Sequence, residues 1–336
     1  MMKVALLGAG RIGQVHAKSI TAHDGSRLVA VADAIPEAAR KLAGQIGAEV
    51  RSIDDILADD EIDAVLIATS TDTHSDLIER ATAAGKAVLC EKPVDLSLDR
   101  ALATLKTAEA SGQPVMVGFN RRFDPQFAAL KAAYDAGEIG KGELLSITSF
   151  DPAPPPIDYI KVSGGLFRDM MIHDFDIACW IFGGPPARVS ATGSAMVDPE
   201  IGTAGDVDTA AVILQWDDGR ICVIKNSRRA GYGYDQRIEL LGSEGLLSAK
   251  NMLENTVEKI TASGASAAKP VYFFLERYMR AYEIEWTAFI DALQSGAAMP
   301  VTLREGVAAL ACAEAATRSA QSGDSVAITP DMLGAE

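Results

Sequence analysis

The chain has 336 residues, a formal net charge of −15 at neutral pH, and 31 basic residues against 46 acidic ones. That length holds two domains, each with its own core. Basic residues so few and so dispersed argue against nucleic acid or anionic membrane as a partner. The first apolar stretch ends at Gly8, too short for a signal-peptide core, and no later run reaches membrane-spanning length, so the expectation is a cytoplasmic protein.

Lys3 to Leu7 reads as a short buried strand running straight into Gly8-Ala9-Gly10-Arg11-Ile12-Gly13, with a helix predicted over Gln14 to Ala22. Glycines at this spacing have separate tasks. Gly8 permits a tight turn, Gly10 lets backbone approach a pyrophosphate, and Gly13 lets the helix pack close to the strand. The helix start offers N–H groups and a positive dipole end to phosphates, which places Arg11 and Ile12 at the cofactor as well. The next run, Leu28 to Ala32, ends on Asp33, whose carboxylate would accept from an adenosine ribose and repel a 2′-phosphate. Ala34 and Ile35 follow without an arginine, so NAD is favoured over NADP.

Further apolar runs at 63–68, 87–90 and 114–119, separated by helical patterns, predict a doubly wound parallel sheet, hence α/β, over residues 1–120. Thr69, Ser70, Thr71 and His74 then fall at the carboxyl edge, where cofactors bind in such sheets; His74 reads equally as a cofactor contact or a helix-start residue. Cys90-Glu91-Lys92-Pro93 ends another strand at the same edge. Lys92 there can donate to a substrate oxygen, and Pro93 can fix the turn through a cis bond. A solvated lysine is the plainer reading.

Residues 121–336 change texture and predict an α+β domain. Strands are expected at 144–150, 208–216, 220–226 and 237–241, with a hairpin at Asp217-Asp218-Gly219, so pairing should be mostly antiparallel. Helices predicted over 165–182, 274–295 and 304–322 would cover one face of that sheet and leave the other open. Residues 151–156 (Asp-Pro-Ala-Pro-Pro-Pro) read as a stiff extended loop and 261–268 as an exposed one. On the first helix Asp169 and His173 stand four apart with Asp176 three further on, among Met, Ile and Phe. A carboxylate one turn from an imidazole orients it and favours its protonated form, which suits a general base. A dipole-complementing acid beside a core histidine is the alternative. The four cysteines and four histidines show no metal-ligand spacing, so no metal is expected.

Together, the glycine segment with His16, Glu91-Lys92-Pro93, Gly118-Phe119-Asn120-Arg121-Arg122-Phe123-Asp124 and the segment from Gly165 to Asp176 resemble the glucose-fructose oxidoreductase/inositol dehydrogenase/rhizopine catabolism (Gfo/Idh/MocA) family over almost the whole chain. The resemblance implies NAD-dependent oxidation of a ring hydroxyl of a cyclic polyol, with an inositol ahead of a pyranose sugar, and a homotetramer. By the same resemblance Lys92 is the catalytic lysine, His173 the general base, and Asp169 the acid that binds substrate and tunes the pair. Lys92 and Glu91 also border the cofactor, and Arg122 and Tyr234 are weaker candidates for substrate hydroxyls. Phe150 stands where an arginine is expected before Asp-Pro. A non-catalytic NAD-binding sensor is the competing class, disfavoured because a sensor has no need of Lys92, Asp169 and His173 all together.

Overall fold

The computed structural model describes residues 1–335, which form two compact units. The first comprises residues 1–123, 280–311 and the stretch from Pro330; the second comprises 124–279 and 312–329. Against the single boundary expected after residue 120, the chain therefore re-enters the first unit twice.

In chain order the first unit begins β1 (Met2–Leu7), α1 (Arg11–Ala22), β2 (Ser26–Ala32), α2 (Pro36–Ile46), β3 (Glu49–Val50), α3 (Ile53–Leu57) and β4 (Ala64–Ile67). It continues α4 (His74–Ala83), β5 (Ala87–Glu91), α5 (Leu98–Ser111) and β6 (Val115–Gly118). All strands pair in parallel in the order β3-β2-β1-β4-β5-β6. This is the doubly wound order, whose direction reverses between β1 and β4. The runs Val4 to Leu7 and Ala64 to Ile67 are wholly buried, as strands covered on both faces require. Each fully buried Val, Leu or Ile there contributes about 1.5–3 kcal/mol. The C-terminal return is held by long-range bonds. Trp286 Nε1 donates to Ser26 Oγ at 2.9 Å, and Val117 N donates to the Val301 carbonyl at 3.1 Å.

The second unit carries α6 (Pro125–Asp135), β7 (Gly142–Phe150), α7 (Ile157–Ser163), α8 (Gly165–Asp169), α9 (Ile172–Phe182), β8 (Arg188–Ser194) and α10 (Pro199–Thr203). Then come β9 (Thr209–Gln215), β10 (Ile221–Ser227), β11 (Asp235–Gly242), β12 (Gly245–Ala249), β13 (Glu258–Thr261) and β14 (Gly264–Ala267). Two long helices follow, α11 (Phe274–Ser295) and α12 (Leu303–Ser322), each passing from one unit into the other along its length, and then the short β15 (Val326–Ala327). The large sheet runs β12-β11-β7-β10-β9-β8-β15 and is antiparallel except for the β7–β10 pair. Residues alternate inward and outward: Ala210, Val212 and Leu214 are buried, whereas Ile213 is exposed.

Two expectations are corrected. The stretch 261–268 is not a plain loop, because β13 and β14 pair across it from Glu258↔Ala267 to Thr261↔Gly264. The helix predicted over 165–182 is two helices. At the break Met170 N and Met171 N both bond the Leu166 carbonyl, at 3.0 and 2.9 Å, so the turn is widened to a five-residue span before α9 starts. Asp169 thus closes α8 while His173 lies in the first turn of α9, and simple four-residue spacing does not describe the pair.

Candidate active site

At the carboxyl edge of the parallel sheet, the glycine segment behaves as its spacing predicts. Gly8 has φ +102°, and a Cβ there would overlap the Ala68 carbonyl. A Cβ on Gly13 would overlap the Gly8 carbonyl, so the helix could not sit so close to the turn. Gly10 differs: a Cβ would meet nothing within 4 Å, and its backbone is extended. No side chain caps α1 at this end, and Arg11 is exposed with Ile12 half-buried beside it. That is a cradle with room over Gly10 at a helix start without a side-chain cap, and it fits a pyrophosphate.

Asp33, leaving β2, accepts from Ala9 N at 2.6 Å through Oδ2 and from Ile35 N at 2.7 Å through Oδ1. The carboxylate is thereby fixed against the glycine turn, and its remaining lone pairs can accept from ribose hydroxyls. NAD therefore fits this edge: Gly8, Gly10, Gly13 and Asp33 supply the shape and acceptors the dinucleotide needs.

Past β4, Ser70 is exposed and Thr71 half-buried; Thr69 Oγ1 lies 2.6 Å from Thr73 Oγ1. His74 is buried, with Nδ1 2.8 Å from the Pro93 carbonyl and Nε2 3.2 Å from the Thr69 carbonyl. It therefore clasps the exits of β4 and β5. Burial holds its pKa below the ordinary histidine value despite those carbonyls and nearby Glu91. A neutral ring has one N–H, and the shorter contact assigns it to Nδ1. Glu91 is also buried, and Oε1 lies 2.6 Å from Nε2 of His16, whose ring meets Tyr282 edge-on at 5.3 Å. His16 thus holds the Glu91 side chain and His74 the Pro93 carbonyl, on either side of Lys92, which is half-buried and precedes a cis proline bond, as Pro93 suggested. Arg122, expected near substrate hydroxyls, is buried and donates through Nη1 to Glu305 Oε1 at 2.7 Å. A buried guanidinium requires such a partner. Although burial pushes the Glu305 carboxyl up, the Arg122 charge and the Thr302 donors bring it below the usual range.

In the second unit Asp169 Oδ1 accepts from Tyr159 OH at 2.9 Å and Oδ2 from Arg228 Nη2 at 3.1 Å. The start of α9 is anchored by the residue after His173. Asp174, 1 % exposed, accepts from Ser149 Oγ at 2.6 Å and Asn226 Nδ2 at 2.8 Å, which ties the helix to β7 and β10. Asp176 is buried, His173 is half-buried, and Tyr234 is a core residue packed edge-to-face on Tyr278 at 6.0 Å. Tyr159, Asp174 and Arg228 escape sequence reasoning, since nothing local marks residues whose partners lie from 10 to 59 positions away. His16 is visible only as part of the resemblance.

Residues 2–119 match the Gfo/Idh/MocA model described as an oxidoreductase family with an NAD-binding Rossmann fold, and residues 127–248 match the Gfo/Idh/MocA C-terminal domain. The chain is 52 % identical over 318 residues to the inositol 2-dehydrogenase of Rhizobium meliloti strain 1021, covering 95 % of this chain and 96 % of that one. Among solved structures, a myo-inositol dehydrogenase from Corynebacterium glutamicum superposes with a TM-score of 0.94 at 44 % identity, covering 98 % of this chain and 99 % of that one. A scyllo-inositol dehydrogenase from Lactobacillus casei, with NAD(H) and scyllo-inositol bound, superposes with a TM-score of 0.90 at 29 % identity and the same coverage.

Proposed function

The chain belongs to the Gfo/Idh/MocA oxidoreductase family, and from that premise we propose that it oxidises the axial hydroxyl of myo-inositol to 2-keto-myo-inositol with NAD as the acceptor. The near full-length likeness to the Rhizobium inositol 2-dehydrogenase carries the substrate. When bound, NAD takes the two electrons and the hydrogen that leave the ring carbon. The chain's own residues handle the proton and the oxygen. His173 takes the hydroxyl proton as general base, Lys92 donates to the oxygen as charge develops on it, and Asp169 binds a substrate hydroxyl and orients His173. Fixation supports these roles: His16 holds the Glu91 carboxylate and His74 the Pro93 carbonyl on either side of Lys92, while Tyr159 and Arg228 hold Asp169. A side chain already held in place loses little entropy on reaching its reacting atom.

Lys92→Met and His173→Gln each lower kcat by at least about a hundredfold. NAD binding, followed by fluorescence, stays intact in both. Loss of NAD binding in either variant contradicts these assignments.

The same groups would serve scyllo-inositol, the ligand of the Lactobacillus structure, and the ratio of kcat/KM for the two isomers decides between them. A homotetramer is supported by Leu144, Ile213, Leu241 and Leu246, which are exposed on the outward face of the large sheet. Sedimentation velocity tests it. A cytoplasmic setting accords with four buried cysteines, none of them in a disulfide.

A further inference from the structure

Arg228 is among the most deeply buried large side chains of the chain, yet neither its neighbours in sequence nor its strand explain a charge there. It follows β10, and its backbone N–H bonds the Asp208 carbonyl at 2.8 Å, so its position is fixed from the main chain outward. One terminal nitrogen reaches Asp169 Oδ2 at 3.1 Å. A second carboxylate, Asp206, lies within its field and within that of Asp169. Asp206 Oδ1 accepts from Leu166 N, at the start of α8, at 2.9 Å, whereas Oδ2 is buried with no hydrogen-bond partner. Burial pushes the Asp206 carboxyl up, against the Leu166 and Val207 N–H groups and the Arg228 charge that pull it down. A single guanidinium thus pairs with one carboxylate and acts through space on a second, and α8 carries both the residue that Asp206 holds and Asp169 itself.

A buried guanidinium is costly to desolvate and, as a stabilising device, is commonly no better than an apolar side chain of equal size. Its placement here has another use. We propose that Arg228 is a positioning residue of the oxidation: it keeps the Asp169 carboxylate ionised and aimed, and it offsets the field that this carboxylate exerts on His173. This rests on the roles proposed above for Asp169 and His173. Among the groups facing Asp169 are the Tyr159 hydroxyl from α7, Arg228 after β10, and Asp206 from the loop after α10. With Arg228 present, Asp169 steers the imidazole without holding its proton too tightly for a base working near neutrality. Without it, Asp169 loses this counter-charge and feels Asp206 more strongly, and the protonated imidazole is favoured.

The test is the NMR titration of the His173 imidazole, assigned by its loss in His173→Gln, in the wild type, Arg228→Gln, Arg228→Lys and Asp206→Asn. The pH profile of kcat/KM is recorded alongside. Arg228→Gln raises the His173 midpoint by about one pH unit and moves the acid limb of kcat/KM upward equally. Arg228→Lys keeps the charge and recovers at least half of that shift. Asp206→Asn, isosteric and still able to accept from Leu166 N, gives Asp169 an undivided counter-ion and moves both measures down. A purely structural role lowers the melting temperature and the activity at every pH but leaves the midpoints in place, and that result overturns the proposal. Should Arg228→Gln not fold, an unmoved midpoint in Asp206→Asn overturns it equally. The titration needs no turnover, so a wild type inactive on inositols refutes the functional reading separately.

Discussion

Substituting the three glycines after β1 one at a time separates packing from cofactor binding. Gly10→Ala adds a methyl that meets nothing within 4 Å, on an extended backbone open to alanine. Reduced freedom of the unfolded chain favours alanine by about 0.4–1 kcal/mol, and its poorer N-capping costs about as much, so stability changes by under about 1 kcal/mol. The melting temperature then moves by under about 4 °C. If the pyrophosphate crosses Gly10, the same methyl occupies its path, and the Kd for NAD rises at least about thirtyfold, or about 2 kcal/mol. Gly8→Ala is the opposite case. Its φ of +102° costs an L-residue about 1–3 kcal/mol, and its overlap with the Ala68 carbonyl adds about 1–3 more. That is a large share of an ordinary domain's stability, so Gly8→Ala melts far lower whether or not NAD is present. Thermal melts with fluorescence titration of NAD read both quantities. Wild-type NAD affinity in Gly10→Ala refutes the placement of the phosphates, and wild-type stability in Gly8→Ala refutes the close packing.

Asp33→Asn leaves an oxygen for Ala9 N but removes the charge, so the NAD over NADP ratio of kcat/KM falls at least about tenfold; an unchanged ratio in steady-state assays means that discrimination lies elsewhere. His74 is held neutral by burial, so its folded pKa lies below its unfolded one. Its contribution to stability is complete above about pH 6.5 and is lost as pH falls from there toward the folded pKa. Chemical denaturation across that range should show a slope that flattens in His74→Gln, and an equal slope contradicts the assignment. Asp174→Ala leaves Ser149 and Asn226 facing a gap and destabilises the second unit by about 2–4 kcal/mol. Denaturant midpoints check this, and a loss below about 1 kcal/mol would show the anchor to be dispensable.

What the sequence discloses is what short-range rules govern. The strand, glycine turn and helix at the N-terminus lie within some twenty residues, and each glycine answers to a contact inside or next to that unit, so spacing alone is informative. The break at Met170–Met171 leaves no such trace, because Met, Ile and Phe continue the apolar pattern through it, and the widened turn is set by two bonds to a single carbonyl. Hairpin β13–β14 is hidden for the opposite reason: its residues are exposed on both faces and carry no alternation. The returns of the chain to the first unit depend on pairs such as Trp286 and Ser26, 260 residues apart. Of the proposed catalytic groups, Lys92, Asp169 and His173 are visible through residue chemistry and resemblance. The side chains around them, His16 on Glu91 and Tyr159 and Arg228 on Asp169, depend on tertiary neighbours. For Arg122 the sequence shows the charge but not its burial against Glu305.

The central measurement is the initial rate of NADH formation, by absorbance, from purified protein with NAD and myo-inositol, alongside scyllo-inositol, chiro-inositol and glucose, and repeated with NADP. Turnover of myo-inositol that is fastest with NAD and abolished in His173→Gln is the predicted result. Intact NAD binding with no turnover of any of these polyols would contradict it.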